Sequence, residues 1–386
     1  MLSTAQWDNA CWICWLVIEF PMHVLICPDK FKGSLSAEHV AEAMAKGLPL
    51  GTTHTILPLA DGGEGSLEVI ASSVSGTWVD VRVQNPLFKT ISSSYYLSDN
   101  KAFIEMSRAS GLGLLHPSER KTIETSTVGT GQLIQDALQR GANEIFLFVG
   151  GSATTDGGIG MASALGFQFL DKTGKSIVPI GKNLLSIAEI IIPQSSVNIS
   201  YTVVCDVENP LLGRMGAAAV YGPQKGATRE DIQLLEEGLT HIASLAVSAG
   251  LPSRENVPGA GAAGGLAWGA MTFLHAQLKS GTDFIFERLN FNHFVQKADI
   301  ILTGEGKMDT QTLHGKLIHG VASVASSYQK PVWVVCGKNE LSTPQYQSIG
   351  IEKVAQLLSP GTSFEEAVAH AETLIALRTQ QLFYIE

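Results

Sequence analysis

Apolar and polar residues follow two rhythms along the chain, and the change from one to the other marks the elements. Short aliphatic and β-branched runs predict strands at 23–27, 55–59, 79–83, 92–97, 102–106, 145–149, 201–205, 299–303, 332–336 and 353–358. Apolar residues recurring three and four apart predict amphipathic helices over 37–47, 64–74, 126–140, 157–165, 229–249, 315–328 and 363–379. Strands that alternate with helices build parallel sheets covered on their faces, so the fold class is α/β. The stretch 79–106 departs from this: three β-rich runs broken by Pro86, Ser92 to Ser94 and Asp99-Asn100 predict an antiparallel meander.

The architecture expected is a Rossmann-like parallel-sheet domain, residues 22–66 plus 285–386, interrupted by an inserted second α/β domain with a partly antiparallel sheet at 67–284. Substrates would lie in the cleft between them. The apolar run from Cys11 to Ile18 lacks a basic leader and is far shorter than the roughly 20 residues of a membrane helix. Met22 opens the first strand, so residues 1–21 read as an upstream extension.

Composition narrows the class. With 386 residues, 45% hydrophobic and 16% charged, the chain has the makeup of a packed protein of two domains. A net charge of −10 repels phosphate backbones, so nucleic acid is not an expected partner, nor is a membrane. The five cysteines, Cys11, Cys14, Cys27, Cys205 and Cys336, do not form a disulfide framework. A cytoplasmic location follows as the expectation, and Cys11 and Cys14 read as an incidental pair.

The candidate chemistry is at strand ends. There are 39 glycines, above the usual share of about 7%, and many stand where turns feed helix N-termini that attract anions. After the first strand come Asp29, Lys30, Lys32 and Ser34, two cations and a carboxylate beside a helix that Ser36 caps. After the second come Asp61, Gly62, Gly63 and Glu64, where glycines admit a ligand and the acids face a cation or a ribose. The third is Gly150, Gly151, Ser152, Thr154, Thr155 and Asp156, which has the parts of a phosphate cradle. Asp206 with Asn209, Lys225, and Glu305 with Asp309 extend the set; each alone reads as a structural turn, and their accumulation indicates a nucleotide and metal site.

Two fingerprints fail. Gly174-Lys175-Ser176 lacks the first glycine of a P-loop, because Phe169 stands there. The match Gly259-Ala260-Gly261-Ala262-Ala263-Gly264 follows Pro258 rather than a strand, which argues against a dinucleotide oxidoreductase. Protein-kinase signatures are missing. Histidines sit mostly outside the glycine-rich loops, and His314 alone stays open as a candidate.

The segments PDKFKGSLSA, LPLADGGEG, GGSATTDGG, CDVENPL, GPQKGAT, GAGAAGG and TGEGKMDTQT occur in this order. Together they resemble the bacterial glycerate kinases, a two-domain family distinct from P-loop and protein kinases. The resemblance runs from Met22 to near the C-terminus. It departs at Val335-Cys336-Gly337-Lys338-Asn339, where the family has an Ala-Gly-Ser-like turn. It implies transfer of the ATP γ-phosphoryl group to D-glycerate, usually giving 2-phosphoglycerate, with Mg²⁺ accompanying ATP. On that expectation Lys30 or Lys32 meets the glycerate carboxylate or the transferring phosphoryl group, and the 150–158 loop cradles phosphates. Asp156 or Asp206 would hold Mg²⁺ or accept the hydroxyl proton, with Asp61, Glu64 and Glu305 as further candidates. A kinase for another small hydroxy acid, and a non-catalytic sensor of hydroxy acids or nucleotides, are the rival readings.

Overall fold

The computed structural model describes residues 22–194, 199–313, 317–359, 361 and 363–384. The expected extension at 1–21, with Cys11 and Cys14, and His314 lie outside them. The strands in chain order are β1 His23–Ile26, β2 Thr53–Ile56, β3 Thr77–Gln84, β4 Thr90–Ser98, β5 Lys101–Glu105, β6 Glu144–Phe148, β7 Gln168–Leu170 and β8 Glu189–Ile191. They continue with β9 Ser200–Val204, β10 Gln277–Lys279, β11 Ile300–Met308, β12 Val332–Asn339 and β13 Ile351–Gln356.

Both ends of the chain build one five-stranded sheet, ordered β13-β12-β11-β1-β2 and parallel throughout. The middle builds a six-stranded sheet, β10-β9-β6-β5-β4-β3, in which β5, β6, β9 and β10 are parallel and β3, β4 and β5 form the antiparallel meander. An α/β domain interrupted by a second one is therefore what the chain forms. Strands β1 and β6 are apolar along most of their length and buried, as parallel strands covered on both faces must be.

The two sheets share apolar packing. One buried cluster takes Leu25 and Ile301 from the first sheet, Phe103, Phe148 and Val204 from the second, and Leu67, Ile70, Phe284 and Ile285 from helices between them. The cleft lies beside this apolar joint.

Three local differences from the sequence reading have physical causes. Strands β11 and β12 run on through Met308 and Asn339, so Gly304-Glu305-Gly306 is strand rather than turn. Glycine makes this possible: a Cβ on Gly337 would stand 2.4 Å from the Gly306 carbonyl oxygen. The 259–264 glycines open the helix Ala262–Phe273, with Ala263, Gly264 and Gly265 all at positive φ. A Cβ on Gly264 would stand 2.0 Å from the Thr154 oxygen, so these glycines serve close backbone packing. The predicted 363–379 helix is two, Phe364–Ala369 and Ala371–Tyr384, broken at His370.

Candidate active site

The C-terminal ends of β11, β1 and β2 converge on a cavity of about 430 Å³. Pairing continues past β1, where Asp29 N–H donates to the Gly304 oxygen and Leu59 N–H to the Pro28 oxygen. Asp29 is thus held level with Glu305 and the residues before Asp61. The next turn closes through Ser34 N–H to the Phe31 oxygen, with Gly33 at φ 78°, before Ser36 caps the helix Ala37–Lys46 by accepting from His39 N–H.

Asp29, Lys30, Lys32, Asp61, Gly63, Glu64, Gly150, Gly151 and Glu305 all line this cavity. The sequence-selected loops from both sheets therefore do meet. Asp29 Oδ1 accepts from Lys30 N–H at 2.7 Å, Asp61 Oδ1 from Gly63 N–H at 3.0 Å, and Lys30 Nζ donates to the Glu64 carbonyl. Glu305 accepts from Thr312 Oγ1 at 2.7 Å. Burial, and then the neighbouring Asp61 carboxylate, push the Asp29 carboxyl up to about 7, against the pull of Lys30. A carboxylate so placed is matched to accepting a proton near neutral pH.

A second cavity, about 1090 Å³, shares Asp29, Lys30, Lys32, Glu64 and Gly151 with the first. It continues past Ser34 to Ser107 and Arg108. The Arg108 guanidinium is paired with Glu68 and, at 3.2 Å, with Glu105, and lies 4.8 Å from the Trp78 ring centroid. Glu105 itself is buried and accepts from Leu67 N–H, which ties β5 to the helix Ser66–Ser73.

The remaining selected residues stand away from the cavity walls. Asp156 is fully buried; its carboxylate accepts from Thr127 N–H, Thr127 Oγ1, Gly158 N–H and Gly160 N–H. Asp206 accepts from Ser280 Oγ, Gly281 N–H, Thr282 N–H and Thr282 Oγ1, capping the helix Gly281–Arg288. A carboxylate offers about four lone-pair sites, so both are committed to protein donors. Burial nonetheless pushes both carboxyls up. Lys225 is also buried, and its Nζ donates to Ser152 Oγ at 2.6 Å and the Thr154 oxygen at 2.7 Å. Burial brings its ammonium down to about 7, opposed by Asp156.

Thr155 shares a hydroxyl bond with Thr122, Asn209 bonds the Met215 oxygen and Tyr221, and Asp309 accepts from Gln311 N–H. Gly62 is pressed against Gly281, where a Cβ would lie 2.7 Å from the Gly281 Cα. Gly306, Lys307, Leu317 and Phe364 line the smaller cavity without having been selected. Lys307 lies in the segment TGEGKMDTQT; Phe364 opens a predicted helix, a position with no chemical signature. Arg108 follows a predicted strand end, which is the signal that could have found it.

Among the described residues, no three of His, Cys, Asp and Glu are grouped to hold a metal ion by themselves. No described helix is long and apolar enough to cross a membrane.

Known proteins resemble this chain along almost its whole length. Residues 24–385 match the family described as the Glycerate kinase family. A glycerate kinase of Bacillus subtilis (strain 168) is 40% identical over 91% of this chain and 94% of its own length. A glycerate 2-kinase of Escherichia coli (strain K12) is 39% identical over 90% and 93%. A crystal structure carrying the name glycerate kinase 2, from Salmonella typhimurium LT2, superposes with a TM-score of 0.79 at 37% identity, covering 94% of this chain and 97% of that one. A sequence match across almost every described residue, with the same architecture in three dimensions, shows that the chain belongs to the glycerate kinase family.

Proposed function

We propose that the protein transfers the γ-phosphoryl group of ATP to D-glycerate, giving 2-phosphoglycerate and ADP. The observation that carries this reading is the shared wall of the two cavities: five residues, three of them Asp29, Lys30 and Lys32, face both. ATP in the smaller cavity and glycerate in the larger would meet there.

In-line transfer needs positioning and charge neutralisation more than covalent help. The Asp29 carboxylate accepts the proton of the acceptor hydroxyl, whose oxygen attacks the γ-phosphorus as the bond to ADP breaks and ADP leaves with its electron pair. Lys30 and Lys32 offset the charge on the moving phosphoryl group, and Gly150 and Gly151 let backbone approach it. Asp61 and Glu305, which line the smaller cavity, are the carboxylates suited to Mg²⁺, which uses one or two carboxylates and takes its other oxygens from phosphates and water. The ion would neutralise phosphate charge. Asp156, Asp206 and Lys225 act as positioning residues in place of the direct roles expected from sequence, because their polar atoms are already engaged.

We place the joints between the two bodies at Ser66 and Ser280. A boundary at 284/285 would cut the helix Gly281–Arg288. The described cysteines, Cys27, Cys205 and Cys336, are free and buried, which supports the cytoplasm as the compartment.

The test is a coupled assay with MgATP and D-glycerate, with the product identified by ³¹P NMR. ADP release together with 2-phosphoglycerate is the expected result. Turnover only with another hydroxy acid would replace the acceptor, and silence with every acceptor would overturn the reading.

A further inference from the structure

The smaller cavity is polarised along the sheet. Beyond the C-terminal strand ends it passes from Phe364, which follows β13, to Glu305 on β11, to Asp29 after β1, and then to Gly150 on the other sheet. Its charged groups and glycines occupy the β11-to-β2 side. Its two large apolar side chains are Leu317, buried at the start of the helix Leu317–Ser327, and Phe364, which is 64% exposed.

An exposed phenylalanine would be unremarkable on a loose loop, but this one is held. Ser363 accepts from Glu366 N–H at 3.1 Å and donates its own N–H to Glu366 Oε2 at 2.9 Å, a reciprocal cap that fixes the first turn carrying Phe364. Ala367, one turn on, is buried and anchors that helix. The ring is thus presented to the cavity on a short element whose backbone is already ordered.

Resting on the kinase reading above, we propose that Phe364 is the seat for the purine ring of the nucleotide. ATP is itself polarised, with a flat apolar base at one end and the charged triphosphate at the other. Laid along the strand ends, its base meets the apolar end and its phosphates meet Lys30 and the glycine loops. Base stacking on an aromatic ring uses the π-face common to all bases, and needs no donor or acceptor pattern. The site would therefore bind purine nucleotides with weak discrimination between adenine and guanine.

Direct titration of ADP into wild type and the variants F364A, F364L and F364W tests this, with glycerate turnover measured separately. F364A is expected to weaken ADP binding about 5- to 150-fold, F364L by less, and F364W to bind as wild type with a new fluorescence change on adding ADP. Thermal midpoints should stay within a few degrees, because the ring is largely exposed. ADP affinity unchanged in F364A, or no ADP binding by wild type, overturns the proposal. Normal ADP binding with no phosphorylation of glycerate would instead overturn the acceptor and leave the base site standing.

Discussion

Gly150 and Gly63 touch across the two sheets: a Cβ on Gly150 would lie 2.8 Å from the Gly63 Cα. One loop follows β6 of the inserted sheet and the other follows β2 of the parallel sheet, and both line the smaller cavity. Because the clash is with backbone, Gly150→Ala must move one loop away from the other. Catalytic efficiency is expected to fall about tenfold to a hundredfold, with far-ultraviolet circular dichroism unchanged. Steady-state kinetics at saturating ATP check it, and an undiminished kcat/KM would mean that the loops need not touch during turnover.

Asp29 ties activity to pH. Its carboxyl is raised from 3.8 to about 7, so it carries a proton below that pH and cannot accept one. The kcat/KM profile should fall on the acid side with an apparent pKa near 7. Asp29→Asn should lose about 10²- to 10⁴-fold in turnover and flatten that limb.

The same shift makes a prediction for stability. Between pH 4 and 7 the folded protein holds more protons at Asp29 than the unfolded chain does, so this group's contribution to stability falls as pH rises through that window. At pH 8 the Asn variant should be more stable than wild type by about 1–3 kcal/mol. Thermal melts at pH 5 and 8 decide the matter, and a variant equally destabilised at both would refute it.

Lys225 has the opposite sign. Its ammonium is brought from 10.5 down to about 7, so between those values the unfolded chain binds the extra proton and stability rises with pH. A neutral amine has two N–H donors, and Lys225 faces two acceptors, Ser152 Oγ and the Thr154 oxygen. Lys225→Met should remove the rise in melting temperature between pH 7 and 9. It should also lower kcat through the loosened 150–158 loop.

Asp206→Ala separates positioning from catalysis. It leaves two N–H groups and two hydroxyls without their acceptor at the start of the helix Gly281–Arg288. A stability loss of about 2–4 kcal/mol is expected. Turnover per folded molecule should fall far less than in Asp29→Asn. A loss as deep as that of Asp29→Asn, at a temperature where the variant is folded, would return Asp206 to the reacting groups.

Much of the fold was readable because the apolar rhythm of each buried strand is local. The β1 run His23–Ile26 and the β6 run Glu144–Phe148 lie within a residue of their predicted bounds. The short strands β7, β8 and β10 carry too few residues to show a rhythm. The meander β3-β4-β5 was legible because its turns carry Pro86 and Asp99-Asn100, and Asp99 does take the positive φ of 50° that such a turn uses. Ser92 to Ser94, read as a further break, instead lie within β4 and pair with β3.

The site was legible in part. Asp29, Lys30, Asp61 and Gly150 could be picked out because strand ends with glycines and charges are where α/β proteins bind anions. Asp156 and Lys225 belong to the same motifs, and residue type alone cannot separate a carboxylate that faces a cavity from one that caps buried amides. Phe364 looked like any helical phenylalanine.

The sequence alone determined the α/β class, the interrupted order of the two sheets and the family, because propensity, periodicity and ordered motifs are properties of neighbouring residues. Tertiary structure decided which polar groups are spent inside the protein and which are left for substrates. Burial and hydrogen-bond partners come from segments far apart in the chain, as when Asp206 meets Gly281 and Lys225 meets Ser152. Only packing brings such partners to within 3 Å, and that contact turns an aspartate into a cap and leaves Asp29 facing the cleft.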